Sequence, residues 1–122
     1  MNLFQDAEIK ISKLPLGPYD TNCYVVSCSR TKEAVVIDAP AQAGRILDEA
    51  RRFKVKYILI THAHPDHLGA LAQIRTVLRV PVGVHTSDAH GLPQPADFNL
   101  EDGAKVRFGR QTLKVIHAPG HT

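Results

Sequence analysis

The sequence lacks the features that would place it in a membrane or an oxidising compartment. It contains no tryptophan and only two cysteines among its 122 residues, and no apolar run approaches the roughly 20 residues that cross a bilayer. Residues 1–6 lack the basic leader and the apolar core of a signal peptide. Cys23 and Cys28 fall in one predicted strand with their side chains on opposite faces, so they cannot bridge each other. These absences predict a soluble, cytoplasmic chain with free thiols and no membrane partner.

An excess of one charge is also lacking. The 15 lysines and arginines barely exceed the 12 aspartates and glutamates, and the basic residues are scattered along the chain without forming a stripe. The sequence therefore predicts no nucleic-acid partner. With 43% apolar residues, the chain has enough material for one modest hydrophobic core. We expect a single domain over residues 1–122, and we expect its partner to be a small-molecule substrate.

Hydrophobic periodicity predicts a mixed α/β architecture of the α+β class. Helical spacing of apolar residues predicts amphipathic helices over residues 41–54 and 68–78. Pro15 is expected to end the first strand, and the proline-containing residues 92–100 are expected to form a loop. The first helix and the strands beside it form a strand, helix, strand crossover. Apolar runs rich in strand formers predict strands over residues 8–14, 23–27, 34–37, 56–61, 80–84, 104–108 and 112–116.

Histidine is the residue type in excess, because three of the seven histidines fall within the run Thr-His-Ala-His-Pro-Asp-His at residues 61–67. Imidazole and carboxylate groups hold zinc or iron at neutral pH. In an extended loop, His62 and His64 project to the same side and can reach one metal. Asp66 and His67 follow where the chain turns, and they can face a neighbouring position. This metal run directly follows a predicted buried strand, and it predicts two adjacent metal ions.

The metal run resembles the Thr-His-X-His-X-Asp-His signature of the metallo-β-lactamase superfamily and matches it at every position. Residues 21–26 and 35–38 look like the two early strands of the glyoxalase II-like branch of that superfamily. Residues 117–122 look like its Thr-Pro-Gly-His-Thr element, with Ala118 in place of the usual threonine. The resemblance implies that the chain forms the N-terminal half of a four-layer αββα fold.

The same resemblance implies a ligand set and a reaction. His121 would be the third histidine of the first metal site, with Asp66 and His67 serving the second. Two zinc ions are expected per complete site, with iron or manganese as alternatives. Three histidines would leave an open position in which a bound water falls to a pKa of about 7, and Asp66 would be the catalytic residue that orients it. The implied enzyme is a metal-dependent hydrolase, most specifically a hydroxyacylglutathione hydrolase-like thioester hydrolase that uses a metal-bound hydroxide.

The family pattern also implies a bridging aspartate and a further histidine beyond Thr122. We therefore expect a domain that is truncated after its Pro-Gly-His-Thr element. One sheet with its helices would leave the other face of that sheet exposed. We expect either the C-terminal half of a longer protein or a second copy in a homodimer to cover this face.

Several residues and the function itself keep more than one interpretation. Asp38 is either a strand-end turn residue or a group that orients a ligand loop, and His117 is either a strand-end residue or a partner of a metal ligand. His85 and His90 are more simply structural. A single iron would indicate a persulfide dioxygenase-like enzyme, and metal binding without catalysis would indicate a truncated interaction module. A nucleic-acid-processing member of the superfamily would need a basic groove, which the scattered charge argues against.

Overall fold

A computed structural model describes most of the chain, namely residues 2–5 (backbone alone), 8–18, 21–61, 68–85, 92 and 94–115. Within these residues, one mixed sheet contains seven strands that lie side by side in chain order. These strands are β1 Asn2–Gln5, β2 Ile9–Leu16, β3 Thr21–Cys28, β4 Glu33–Ile37, β5 Lys54–Ile60, β6 Val82–His85 and β7 Phe98–Leu100. The other elements are the helices α1 Ala43–Ala50 and α2 Leu71–Leu78, and a separate hairpin of β8 Lys105–Phe108 and β9 Gln111–Lys114.

Strand direction divides the sheet into two parts. β1 to β4 pair antiparallel, whereas β4 to β7 pair parallel. The helix α1 connects β4 to β5 and α2 follows β5 before β6, which are the crossovers that parallel neighbours require. The carboxyl ends of β4, β5 and β6 therefore meet at one edge of the sheet. The predicted α+β class and the predicted strand, helix, strand crossover are confirmed.

Both helices pack on one face of the sheet. The apolar residues of each helix recur at helical spacing, so a single stripe of each faces the strands. No helix in the described part of the chain is long and apolar enough to cross a bilayer. The core between the helices and the sheet, here called the first core, contains Ile46, Leu47 and Ala50 of α1, Leu71 and Ile74 of α2, and the strand residues Cys23, Val25, Val36, Ile58, Ile60, Val82 and Val84.

The opposite face of the sheet carries a second, smaller core. The hairpin of β8 and β9 lies on it, with Val106 and Phe108 buried in that core. Beside them the rings of Tyr57 and Phe98 meet edge to face with centroids 5.6 Å apart. The hairpin therefore covers part of the face that was expected to be exposed. Of the large apolar residues that the structure describes, only Val77 on α2 is exposed, at 56%.

The first strand is longer than predicted. β2 continues through Pro15, which pairs with Asn22 of β3, although proline was expected to end it. The described register of β1 reaches only Ser12, so β2 is an edge strand at Pro15. A proline has no N–H to donate, and an edge position tolerates that loss.

Residues 92–100 are not wholly a loop, because they contain β7. The N–H of Asp97 donates to the carbonyl of Val82 at 2.8 Å, and Asp97 Oδ2 accepts the N–H of Val82 at 2.7 Å. This pair of hydrogen bonds starts β7 beside β6. A strand of three residues is too short to show a period of two in the sequence.

Both helices are shorter than predicted. α1 begins at Ala43 because Gln42 has a left-handed φ of 51°, and the Gln42 Oε1 accepts the N–H of Gly17 at 3.0 Å. Residues 68–70 form a turn before α2. The periodic pattern located each helix, but it did not locate the residues at which the backbone enters the helix.

Candidate metal centre

The metal run begins at the edge of the sheet where the parallel strands end. Asp38 directly follows β4, Thr61 directly follows β5, and His85 is the last residue of β6. Thr61 is the first residue of the metal run, and the last three residues of β5 before it are buried. Ligand sites in sheets with parallel strands lie outside the carboxyl ends of those strands. The prediction that the metal run follows a buried strand is confirmed.

The predicted ligands themselves lie outside the described residues, and so do His90 and His117. Their roles therefore stay predictions. Among the residues that are described, no group of three or more His, Cys, Asp or Glu side chains could hold a metal ion. The ligand residues concerned are His62, His64, Asp66, His67 and His121.

Asp38 holds the first residue of the metal run. Its carboxylate accepts the backbone N–H of Thr61 at 2.8 Å through Oδ1 and the Thr61 hydroxyl at 2.6 Å through Oδ2. Asp38 is 3% exposed, and such short bonds to a buried charged group are the strong kind. The side chain of Asp38 thus fixes both the backbone and the side chain of Thr61.

The backbone of Asp38 contributes to this arrangement. Asp38 has a φ of 66°, a left-handed conformation that aspartate tolerates better than most residues. Its N–H donates to the carbonyl of Leu59 on β5 at 2.8 Å. The two interpretations of Asp38 therefore hold together, because it turns the chain at the end of β4 and orients the start of the metal run. Sequence reasoning found this residue but had no signal for its partner.

Cys23 lies beside Asp38 on the neighbouring strand. The pairing of Tyr24 with Ile37 places Cys23 opposite the residue after β4. Burial and, secondly, the Asp38 carboxylate raise the pKa of the Cys23 thiol to about 12. The thiol therefore stays protonated at neutral pH and is a poor nucleophile and metal ligand. Cys23 and Cys28 are both free and buried and belong to the cores on opposite faces, as predicted.

His85 lies at the same sheet edge as the metal run. Ile60 of β5 pairs with Val84 of β6 in parallel register, so the next residues along the two strands, Thr61 and His85, are level. Neighbouring strands are about 4.8 Å apart. His85 is half-buried. Its interpretation as a structural residue stays a prediction.

Comparison with known proteins identifies relatives of this arrangement. A family model described as the metallo-beta-lactamase superfamily matches residues 16–122. A hydroxyacylglutathione hydrolase of Cereibacter sphaeroides is 38% identical over 105 residues, which are 84% of this chain and 40% of that protein. The chain thus spans less than half the length of that relative.

Two solved structures share the fold. The B3 metallo-beta-lactamase BLEG-1 matches with a TM-score of 0.82 and 32% identity over 92% of this chain and 63% of its own. The class B3 di-zinc metallo-beta-lactamase LRA-12, from an Alaskan soil metagenome, matches with a TM-score of 0.75 and 27% identity, covering 98% of this chain and 53% of its own. The described sheet and helices correspond to part of the fold of those enzymes, and the predicted N-terminal half of a four-layer αββα fold is confirmed.

Proposed function

The chain belongs to the metallo-beta-lactamase superfamily, and from this premise we propose that it carries the metal-binding half of a thioester hydrolase site. The proposed cofactor is a pair of zinc ions. The proposed substrate is the thioester of an acyl group with glutathione or a similar thiol. The superfamily is one of metal-dependent hydrolases, and the thioester is the substrate that we propose within it.

One observation carries the proposal, namely the pair of hydrogen bonds by which Asp38 holds Thr61. A metal centre needs ligands that start from a fixed point, because coordination distances tolerate only about 0.2 Å. The two hydrogen bonds at 2.8 and 2.6 Å supply that point at the carboxyl end of β5. The choice of a thioester is supported by the relative of Cereibacter sphaeroides, whose name denotes hydrolysis of hydroxyacylglutathione.

The donor set of the metal run fits zinc. Three imidazoles and a carboxylate within six residues are borderline-soft and hard donors of the kind that zinc accepts. His62, His64 and His121 would hold one ion, and Asp66 and His67 would contribute to a second. Ions held there would activate water and polarise a substrate carbonyl.

Three residues of the chain have further proposed roles. Asp66 is proposed as the carboxylate that orients the attacking water. Asp38 does not reach the substrate in this scheme; it fixes Thr61 and thereby the direction in which the metal run leaves β5. Cys23 stays a neutral thiol beside Asp38 and adds no negative charge to the buried carboxylate.

Zinc content and thioester hydrolysis test the proposal on one preparation. We expect about two zinc ions per chain in the whole protein, loss of hydroxyacylglutathione hydrolysis on chelation, and recovery with added zinc. His64→Ala should lower zinc affinity by more than about 100-fold, beyond the effect of losing a partner that only orients a ligand. His90→Ala is the matched control and should leave both measurements unchanged.

Two results would contradict the proposal. A single iron per chain, with dioxygen consumed on a persulfide substrate, would favour the dioxygenase-like alternative. Zinc bound tightly without any thioester hydrolysis would favour the metal-binding or interaction module.

A further inference from the structure

The segment that holds the start of the metal run also holds the residues that follow its end. The N–H of Ala70 donates to the carbonyl of Ala39 at 2.8 Å. Next to Ala70, Gly69 lies so close to Pro40 that a side-chain carbon on Gly69 would overlap the Pro40 carbonyl oxygen. Residues 38–40, here called the anchor segment, therefore contact the chain on both sides of the metal run.

Position 69 requires glycine because there is no space for a side chain. Gly69 does not have a left-handed φ, so its backbone conformation is open to other residues. Its close neighbour is a backbone oxygen, which cannot rotate away as the end of a flexible side chain could. Pro40 and Ala39 are also buried, so the anchor segment has little room to move back.

We infer that Gly69 is a positioning residue for the metal run, because its missing side chain lets the chain rejoin the anchor segment at a set distance from Thr61. Asp38 fixes the entry to the metal run through a carboxylate. Gly69 and Ala70 fix the exit through backbone contact. The consequence for metal binding rests on the proposed function, whereas the fixing of the exit does not.

The effect of a methyl group at position 69 on the metal run can be estimated. Nonbonded carbon and oxygen atoms need roughly 3.5 Å, so the exit would have to shift by on the order of 1 Å. Four of the seven residues between Thr61 and Gly69 are predicted ligands. A shift of that size exceeds the tolerance of metal coordination, which is about 0.2 Å, and loss of an orienting contact typically lowers metal affinity about 10- to 100-fold.

The test compares Gly69→Ala with Gly44→Ala in the full protein. Gly44 lies in α1, where an added side-chain carbon meets nothing within 4 Å, so its substitution should be harmless. For Gly69→Ala we expect the Ala70 amide of the metal-free protein to exchange at least about 10-fold faster, because its bond to Ala39 is lost. We also expect zinc affinity, measured against a chromophoric chelator, to fall about 10- to 100-fold. Gly44→Ala should change neither.

Two further variants separate positioning from general destabilisation. Ile74→Val removes one methyl group from the buried face of α2, which lowers stability but should leave zinc affinity unchanged. Pro40→Ala adds no atoms and loosens the anchor segment, so it should lower zinc affinity several-fold even if Gly69→Ala does not fold. The inference is overturned if Gly69→Ala or Pro40→Ala loses no more zinc affinity than Ile74→Val.

The metal-free measurement keeps this inference distinct from the proposed function. If the unmodified protein binds no zinc, the proposed function fails, and the Ala70 exchange rate still decides whether Gly69 fixes the exit. An unchanged exchange rate at Ala70 in Gly69→Ala would overturn the inference even in a protein that binds zinc.

Discussion

Each end of the strand pair β3 and β4 holds a segment that is distant in the sequence. The kinds of contact are similar at the two ends, but the groups that make them differ. At the end nearer the metal run, here called the metal end, Asp38 accepts two hydrogen bonds from Thr61. At the other end, Glu33 Oε1 accepts the N–H of Gly109 at 2.9 Å, which seats the turn between β8 and β9 on the turn between β3 and β4. Each end thus joins a carboxylate to a backbone N–H and brings a glycine into close contact.

The difference lies in what each glycine meets. Gly69 faces a backbone carbonyl at the metal end, whereas Gly109 faces the side chains of Thr31 and Cys28 at the hairpin end. Backbone atoms of a buried segment cannot give way, whereas the Thr31 hydroxyl, which is the nearest atom to an added carbon on Gly109, can change rotamer. The carboxylate at the metal end, that of Asp38, is also the more deeply buried of the two. We therefore expect the metal end to tolerate less change than the hairpin end.

The pKa values of the two cysteines of β3 also differ between the metal end and the hairpin end. Cys23 at the metal end has its pKa raised to about 12 by burial and by the Asp38 carboxylate. Burial also raises the pKa of Cys28 at the hairpin end. There, hydrogen bonds from the Thr31 side chain and from the backbone N–H groups of Arg110, Thr31 and Arg30 outweigh it and lower the pKa to about 7. The metal end thus favours a neutral thiol, and the hairpin end favours an anion.

The largest expected effect comes from breaking the metal end at its carboxylate. Asp38→Ala removes both acceptors of Thr61 and places alanine at a left-handed φ, so we expect unfolding free energy to fall by about 2–4 kcal/mol. Asp38→Asn keeps an acceptor and tolerates the backbone, and it should lose about half as much. Denaturant unfolding of the metal-free protein measures both.

Two threonine variants control this comparison. Thr61→Val removes only the hydroxyl bond to Asp38 and leaves the N–H bond in place, whereas Thr61→Ser keeps both. We expect Thr61→Val to lose about 1 kcal/mol and Thr61→Ser to stay close to the unmodified protein. Equal stability of Asp38→Ala and the unmodified protein would remove the distinction between the two ends.

The metal end also shows which parts of the site can be predicted from a sequence. The short apolar run before Thr61 was too brief for a helix, and it is the strand β5. The metal run could therefore be placed at a strand end without a structure. The hydrogen bonds between Asp38 and Thr61 could not be predicted, because they join residues 23 positions apart. Nothing local to Asp38 distinguishes a turn aspartate from one that holds another strand.

Gly69 was unpredictable for a related reason. In the sequence it is a glycine two residues after His67, and a glycine there is compatible with many turns. Only the packing of the anchor segment shows that space is what the position needs. β7 escaped prediction because three residues carry no period, and its start depends on Asp97 and Val82 meeting across the fold. Local pattern thus predicted elements, whereas the contacts between them needed the structure.

A smaller effect is expected at the hairpin end from Gly109→Ala. Gly109 has a φ of 60°, which costs alanine about 1 kcal/mol, and the added methyl meets the Thr31 hydroxyl and Cys28. We expect a total loss of about 1–2 kcal/mol in unfolding free energy, because these side chains can move. Zinc affinity should be unchanged, since the hairpin is at the opposite end of β3.

Gly103→Ala isolates the contact from the backbone strain. Gly103 has a φ of 84°, but an added side-chain carbon there meets nothing within 4 Å. The difference between the two variants therefore measures the contact with Thr31 and Cys28. A loss of zinc affinity in Gly109→Ala comparable with that in Gly69→Ala would contradict the separation of the two ends.

The smallest expected effect is a pH dependence that differs between the two thiols. The pKa of Cys28 in the folded protein is about 7, below the ordinary value of 9.0, so the folded state favours the thiolate. Its contribution to stability should be complete above pH 9, decline as the pH falls, and vanish below about pH 7. Relative to Cys28→Ala, the unmodified protein should therefore gain stability as the pH rises from 7 to 9.

Cys23 should behave in the opposite way, since its pKa is raised to about 12. The contribution of its neutral thiol should be constant up to about pH 9 and lost as the pH rises further. Denaturant unfolding of the unmodified protein, Cys28→Ala and Cys23→Ala across this range gives two difference curves in which the other titrating groups cancel. At pH 7, near the pKa of Cys28, most of the contribution of its thiolate is absent, so its effect on stability at neutral pH should be small. A flat curve for Cys28 between pH 7 and 9 would mean that burial outweighs the surrounding donors, and the two ends would then favour the same form of the thiol.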